Sequence, residues 1–197
     1  MRECLLRMEV TRETAILDLG GTPRIWAQVE RPLDITILNL PARHPAEVQS
    51  HHRICLVEGD ACRIEALPRD RYDLVFSNSV IEHVGPRDRQ EAFAREVRRL
   101  APSYWVQTPS KWFPIEAHCG MPFWWFYPER LRRKLLDDWR AKLPDWTKMV
   151  EETRVLEKAE LQALFPDAEI RVERFLGLPK SYIAMRRTPA GCGAATA

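Results

Sequence analysis

The run Ala15-Ile16-Leu17-Asp18-Leu19, closed by Gly20-Gly21-Thr22-Pro23, most restricts what this chain can fold into. An apolar run this short, ended by glycines and a proline, reads as a buried strand entering a sharp turn. Glycine has no Cβ, so such a turn takes positive φ and lets a ligand approach the backbone. Similar runs recur at residues 35–40 before Pro41, at 54–57 before Glu58-Gly59-Asp60, at 72–76, and at 104–108 before Pro109. Helical patterns fall between them, at 24–30 and 61–67 and most clearly at 87–100. There Ala92, Phe93, Val97 and Leu100 share one face and Pro102 stops the helix. Strands alternating with helical connections imply parallel βαβ units and a doubly wound α/β sheet. Two further β-rich segments, 169–175 and 181–185, flank Gly177-Leu178-Pro179 and read as an antiparallel hairpin closing that sheet.

The 197 residues suit one domain, expected over 1–187, with the small-residue tail 188–197 disordered. Residues 1–14 leave room for a brief strand or an irregular lead-in, and 42–52 are polar with weak helical character. Residues 110–153 break the rhythm as an insertion. They hold Trp112, Trp124, Trp125, Trp139 and Trp146 with four prolines, and their helical part is expected at 129–142; another short helix is expected at 158–165. The 30 basic and 28 acidic residues balance, which gives no electrostatic reason to expect nucleic acid as a partner. Five scattered cysteines without a Cys-x-x-Cys pair argue against a disulfide framework and a structural zinc site, and favour a cytoplasmic location. The charged N-terminus reads as neither a secretory signal nor a membrane span.

Three polar residues recur near the ends of successive strands, Asp18, Asn39 and Asp60, at separations of 21 residues. In nucleotide-binding sheets an acidic residue about 20 positions after the glycine turn bonds the ribose hydroxyls; Asn39 holds that place. Three segments, residues 16–21, Glu58-Gly59-Asp60-Ala61 and residues 72–84, carry a resemblance to the class I S-adenosylmethionine-dependent methyltransferases, running from about Thr14 to Met185. The most specific is the third, a strand running into Ser77-Asn78-Ser79-Val80-Ile81-Glu82-His83-Val84. The resemblance implies a Rossmann-like, mostly parallel seven-stranded sheet with an antiparallel last strand, and S-adenosylmethionine as cofactor. It further implies that Asp18 and Gly20 hold the methionine end, that Asp60 takes the adenine amino group beside Ala61, and that Ser77, Asn78 and Ser79 line the cleft. Gly21 and Thr22 complete the turn, with Thr22 standing where the family usually has a second glycine, and Asn39 where it usually has a ribose-binding carboxylate. A nicotinamide enzyme, the nearest rival, needs Gly-x-Gly-x-x-Gly, whereas residues 20–25 are Gly-Gly-Thr-Pro-Arg-Ile.

Methyl transfer to a hydroxyl or amine requires removal of a proton, and histidine is the commonest base near neutral pH. His83 follows the fourth strand at the cleft, and His118 with Glu116 lies beyond the fifth; these are the candidate catalytic residues. His44, His51 and His52 fall in a polar connection and read as solvated. Glu116, His118 and Cys119 lack a second ligand pair, so no metal is expected. Residues 121–127, with their run of aromatic rings, suit a lid over the acceptor, a homodimer contact or plain core. The expected acceptor is a small molecule or glycan, with no nucleic acid or membrane as partner. The alternative is a methyltransferase-like domain without catalysis, acting as a binding or assembly module.

Overall fold

The computed structural model describes residues 1–41, 50–65, 67–68 and 71–188. Its seven strands are β1 (Ala15–Leu19), β2 (Asp34–Asn39), β3 (Arg53–Glu58), β4 (Leu74–Asn78), β5 (Ser103–Pro109), β6 (Glu169–Phe175) and β7 (Leu178–Arg186). They form one sheet in the order β3-β2-β1-β4-β5-β7-β6. The first five are parallel, while β7 pairs antiparallel with both β5 and β6. The doubly wound sheet and its closing hairpin are those expected from the residues. The chain runs outward from β1 to β3 and then returns to the other side of β1 as β4. Strand order therefore reverses between β1 and β4, the place where open α/β sheets bind ligands beyond their carboxyl ends.

Period-two alternation along each strand divides the core between the two faces of the sheet. Leu17, Leu19, Val75 and Val106 join α3 (Arg87–Leu100) and α6 (Lys158–Leu164) on one face, through Phe93, Val97 and Leu161. Ile16, Ile35, Ile37, Phe76 and Trp105 pack on the other face with α1 (Arg2–Arg7) and α2 (Pro23–Trp26), through Cys4 and Trp26. Trp26 lies edge-on to Phe76, with ring centroids 5.0 Å apart. The insertion builds a third, smaller core of Trp124, Leu136 and Val150, with Trp139 stacked on Trp124 at 5.4 Å. Three of the insertion's tryptophans, Trp124, Trp139 and Trp146, therefore hold the segment together from within.

Some local expectations change. Residues 2–7 form α1, which seats Cys4 in the core, where a strand or irregular lead-in was expected. The helix expected over 24–30 stops at Trp26, because tertiary hydrogen bonds take over its end. His52, only 6% exposed, donates from Nε2 to Trp26 O at 2.9 Å and accepts at Nδ1 from Leu33 N at 3.3 Å. It is thus a buried brace between connections, not a solvated residue, while His51 reaches Val29 O at 2.7 Å. His44 and the weakly helical stretch 42–49 lie outside the described residues. Residues 61–65 form a turn and an isolated Asp60–Arg63 bridge where a helix was expected. The insertion holds two helices, α4 (Glu129–Arg140) and the unanticipated α5 (Pro144–Glu152), after a single 3₁₀ turn at Trp124–Phe126. Thr188, the first residue of the supposed tail, bonds Ser103 Oγ and Pro102 O; residues 189–197 lie outside the described ones. No helix among the described residues is long and apolar enough to cross a membrane.

Candidate functional site

The turn after β1 is fixed by contacts that leave no room for larger residues. Gly20 N donates to Leu38 O at 2.8 Å with φ at +76°, and a Cβ there would stand 2.7 Å from a methyl of Val80. A Cβ on Gly21 would come within 1.9 Å of Asp18 Oδ2. Alternation along β1 turns Asp18 to the Trp26 face, where it is fully buried and accepts from Trp26 Nε1 at 2.7 Å. Its other oxygen, Oδ1, has no hydrogen-bond partner. Burial pushes the carboxyl up to about 7, with the Trp26 bond pulling the other way. Ser77 also supports from below, donating to Leu19 O at 3.1 Å, and Asn39 Nδ2 holds Gly21 O at 2.7 Å. Gly21→Ala is therefore expected to cost about 1–3 kcal/mol of stability, the usual penalty of overpacking. Urea denaturation checks it, and a variant as stable as the parent would mean that Asp18 yields freely.

Two cavities open at the carboxyl edge of the sheet. The larger, about 830 Å³, is lined by Gly20, Thr22, Asn39, Ser79, Val80 and His83, and by Asp145, Lys148, Met149 and Glu152 of α5. The smaller, about 480 Å³, is lined by Asn78, Ser79, Gln107, Phe113, Glu116, Trp125 and Lys180 among others. Ser79, held at φ +57°, borders both. The sequence reading did not single out the α5 wall, Lys180 or Gln107, because each reaches the edge from a distant element. Asp60 and Ala61 line neither cavity. Asp60 accepts from Arg89 Nη2 with both oxygens at 2.9 Å and from Cys62 N at 2.9 Å, while Ala61 packs against the core. A third cavity of about 520 Å³ lies between the start of α3 and α6, by Arg87, Arg154 and Glu160.

Between the two edge cavities the candidate bases meet. His83 Nε2 stands 2.9 Å from His118 Nε2, and His118 Nδ1 stands 2.7 Å from Glu116 Oε1. Glu116 Oε2 accepts from the amides of His118 and Cys119, both at 2.6 Å. Burial works to raise the Glu116 pKa, but these bonds and the His118 charge outweigh it and lower the pKa. For His118 burial works downward, yet the Glu116 bond with the charges of Glu116 and Glu82 leaves its pKa raised. His83 is pulled down to about 4, by partial desolvation of its ring against the insertion and by the His118 charge. Its Nδ1 lies 3.3 Å from Thr153 Oγ1. Glu82, part of the motif that follows the fourth strand, is fully buried beside them. Its Oε2 accepts from Thr108 Oγ1 at 3.0 Å, its Oε1 has no hydrogen-bond partner, and burial pushes its carboxyl up to about 7.

A family model described as a methyltransferase domain matches residues 31–103, which include β2 to α3 and His83. No curated protein matches the sequence. Among solved structures, an S-adenosylmethionine-dependent methyltransferase from Methanosarcina mazei is similar with a TM-score of 0.54 at 14% identity, over 93% of this chain and 97% of that one. One from Aquifex aeolicus is similar at 0.52 and 14%, over 93% and 87%. The magnesium protoporphyrin IX methyltransferase of Synechocystis, solved with bound S-adenosylhomocysteine, gives 0.50 and 11%, over 93% and 79%. At these identities the likeness is one of fold.

Proposed function

We propose that this chain, which has the class I methyltransferase fold and carries the methyltransferase-domain match, moves the methyl group of S-adenosylmethionine onto a hydroxyl or amine of a small molecule or glycan. The observation that carries this reading is the pair of cavities meeting at Ser79, one under the glycine turn and one beneath the insertion. Both volumes fall within the roughly 300–1,000 Å³ typical of ligand pockets. The residues present fit the cofactor. Gly20 brings bare backbone to the cavity wall, and beneath the turn the unpartnered Asp18 Oδ1 keeps an acceptor site for the ammonium of the methionine end. Asn39, with Nδ2 committed to Gly21 O, keeps Oδ1 as acceptor for a ribose hydroxyl. Among the described residues, Asp60 Oδ2 accepts from Arg89 Nη2 alone, so it keeps a lone pair for the proposed bond to the adenine amino group.

Bound there, the cofactor supplies an activated methyl on a sulfonium, and the protein's task is alignment and exclusion of water. Trp125 and Phe113 give the smaller cavity apolar walls, and Gln107, Glu116 and Lys180 give it polar points to orient an acceptor. The acceptor's proton is taken up at the facing Nε2 atoms of His83 and His118, with Glu116 fixing the His118 ring through Nδ1. Glu116 borders the smaller cavity and His83 the larger one, so the chain of bonds crosses between them.

Calorimetric titration with S-adenosylhomocysteine tests the reading. Binding is expected, and Asn39→Ala is expected to weaken it by about 1–3 kcal/mol, the cost of an unmatched polar partner. No heat and no thermal shift at saturating ligand would remove the enzyme reading. Binding with no turnover on any acceptor would leave the non-catalytic module.

A further inference from the structure

The His83–His118 pair has a feature that proton transfer does not account for. Glu82 is wholly buried, and its Oε1 lacks any hydrogen-bond partner, although Oε2 is bonded by Thr108. A buried carboxylate oxygen left unpaired is costly, and few proteins leave one without reason. That oxygen lies 3.9 Å from His118 Nε2, which itself lies 2.9 Å from His83 Nε2. One donor atom from each of Glu82, His83 and His118 lies within 4.8 Å of the other two, and no other such grouping occurs among the described residues.

Two atoms bound tetrahedrally to one zinc ion at about 2.0–2.1 Å stand about 3.3–3.4 Å apart, and the 2.9 and 3.9 Å edges of this triangle lie about half an ångström to either side. The third edge, from Glu82 to the exposed His83, is within reach of a modest side-chain adjustment. The outer contacts also fit. Metal-bound histidines commonly donate their second nitrogen to a carboxylate or other acceptor, which aims the first nitrogen at the ion. Here Glu116 Oε1 takes His118 Nδ1, with Oε2 pinned by two amides, and Thr153 Oγ1 stands by His83 Nδ1. Glu116 is thus a poor direct ligand, and Glu82 is the carboxylate placed to act as one.

We propose that Glu82, His83 and His118 form a binding site for a divalent transition-metal ion, with zinc the best match to the donors. Two imidazoles and one carboxylate favour such ions over magnesium or calcium, which prefer oxygen ligands. Three protein ligands leave a position open, and His83 borders the larger cavity. The ion takes the place of the hydrogen shared by the two Nε2 atoms. Its binding stands apart from the methyltransferase reading. A further role, holding an acceptor oxygen, rests on that reading.

The test strips the full-length protein with chelator and titrates it calorimetrically with zinc chloride at neutral pH. One ion per chain is expected. Glu82→Gln, His83→Ala and His118→Ala should each weaken binding at least tenfold, and Glu116→Gln by about 10–100-fold. His51→Ala, a histidine outside the cluster, should leave the affinity unchanged. His83→Ala guards against a folding artefact, since His83 is exposed, and circular dichroism of each variant checks the rest. Absence of zinc uptake by the parent, or unchanged affinity in folded His83→Ala and His118→Ala, overturns the site. S-Adenosylhomocysteine is titrated into the same samples. Its failure to bind would count against the cofactor reading and leave the metal site standing, and loss of zinc binding alone would do the reverse.

Discussion

Replacing His118 by alanine is expected to lower methyl transfer about 10²–10⁴-fold, the usual worth of a positioned acid–base group. The expectation rests on geometry more than on residue type. His118 is the member of the pair that Glu116 locks in orientation, through the 2.7 Å contact at Nδ1. It is also the one whose proton affinity the surrounding carboxylates raise, whereas partial desolvation and the His118 charge push His83 down to about 4. On the proposed reading, and with no ion between the two rings, a proton leaving the acceptor would therefore come to rest on His118. Affinity for S-adenosylhomocysteine should persist, because His118 does not line the larger cavity. Glu116→Gln should retain more turnover than His118→Ala, since an amide oxygen still accepts from Nδ1 but no longer holds the charge. The measurement is steady-state turnover with any acceptor the parent methylates. Equal turnover for parent and His118→Ala, with the variant folded, would show that this cluster is structural.

The second large effect concerns stability and pH. Asp18 is fully buried and keeps its proton until about pH 7, whereas in the unfolded chain it ionises near its ordinary 3.8. Below that lower value both states are protonated, and the group's contribution to stability is complete. As pH rises toward 7 the unfolded chain releases its proton while the native state retains it, so stability is lost across that window and not regained above it. At about 1.36 kcal/mol per unit, the loss is on the order of 4 kcal/mol. Asp18→Asn keeps an oxygen acceptor for Trp26 Nε1 and has no proton to lose. It introduces a buried amide donor, at a cost of about 1–3 kcal/mol. The variant should thus be no more stable than the parent near pH 4 and more stable near pH 8. The Glu82 carboxyl, also raised, is common to both proteins and cancels in the difference, and the Cys4 thiol, pushed up to about 12 chiefly by burial, stays protonated across this range in both. Denaturant titrations across that range decide it. Parallel stability profiles for parent and variant would place the ionisation of Asp18 elsewhere.

The strands were legible because β1, β2, β4 and β5 are buried on both faces, and such strands write themselves as short apolar runs with glycine or proline at the ends. The turn at Gly20 was legible for a related reason. Positive φ and a 2.7 Å approach to Val80 admit no other residue without strain, so the constraint is local and leaves its mark in the residue type. The closing hairpin announced itself through the alternation of residues 169–175.

Pattern along a chain records that a face is buried, but not what lies across from it. It therefore did not reveal that Asp18 turns down onto Trp26, or that His52 is drawn out of solvent to end α2. It also gave no role to Glu82, whose neighbours come from other elements. The parallel register that sets Asn78 beside Gln107 brings together the chain leaving β4 and the chain leaving β5, and so places His83 against His118 across 35 residues of sequence. The α5 wall of the larger cavity has the same origin, since it reaches the strand ends only when the insertion folds around its own tryptophan core. Local sterics and the periodicity of burial were fixed by the sequence alone. The juxtaposition of ionisable groups, and with it their proton affinities, was decided by tertiary packing, because the fields and solvent exclusion that set them come from residues distant in the chain.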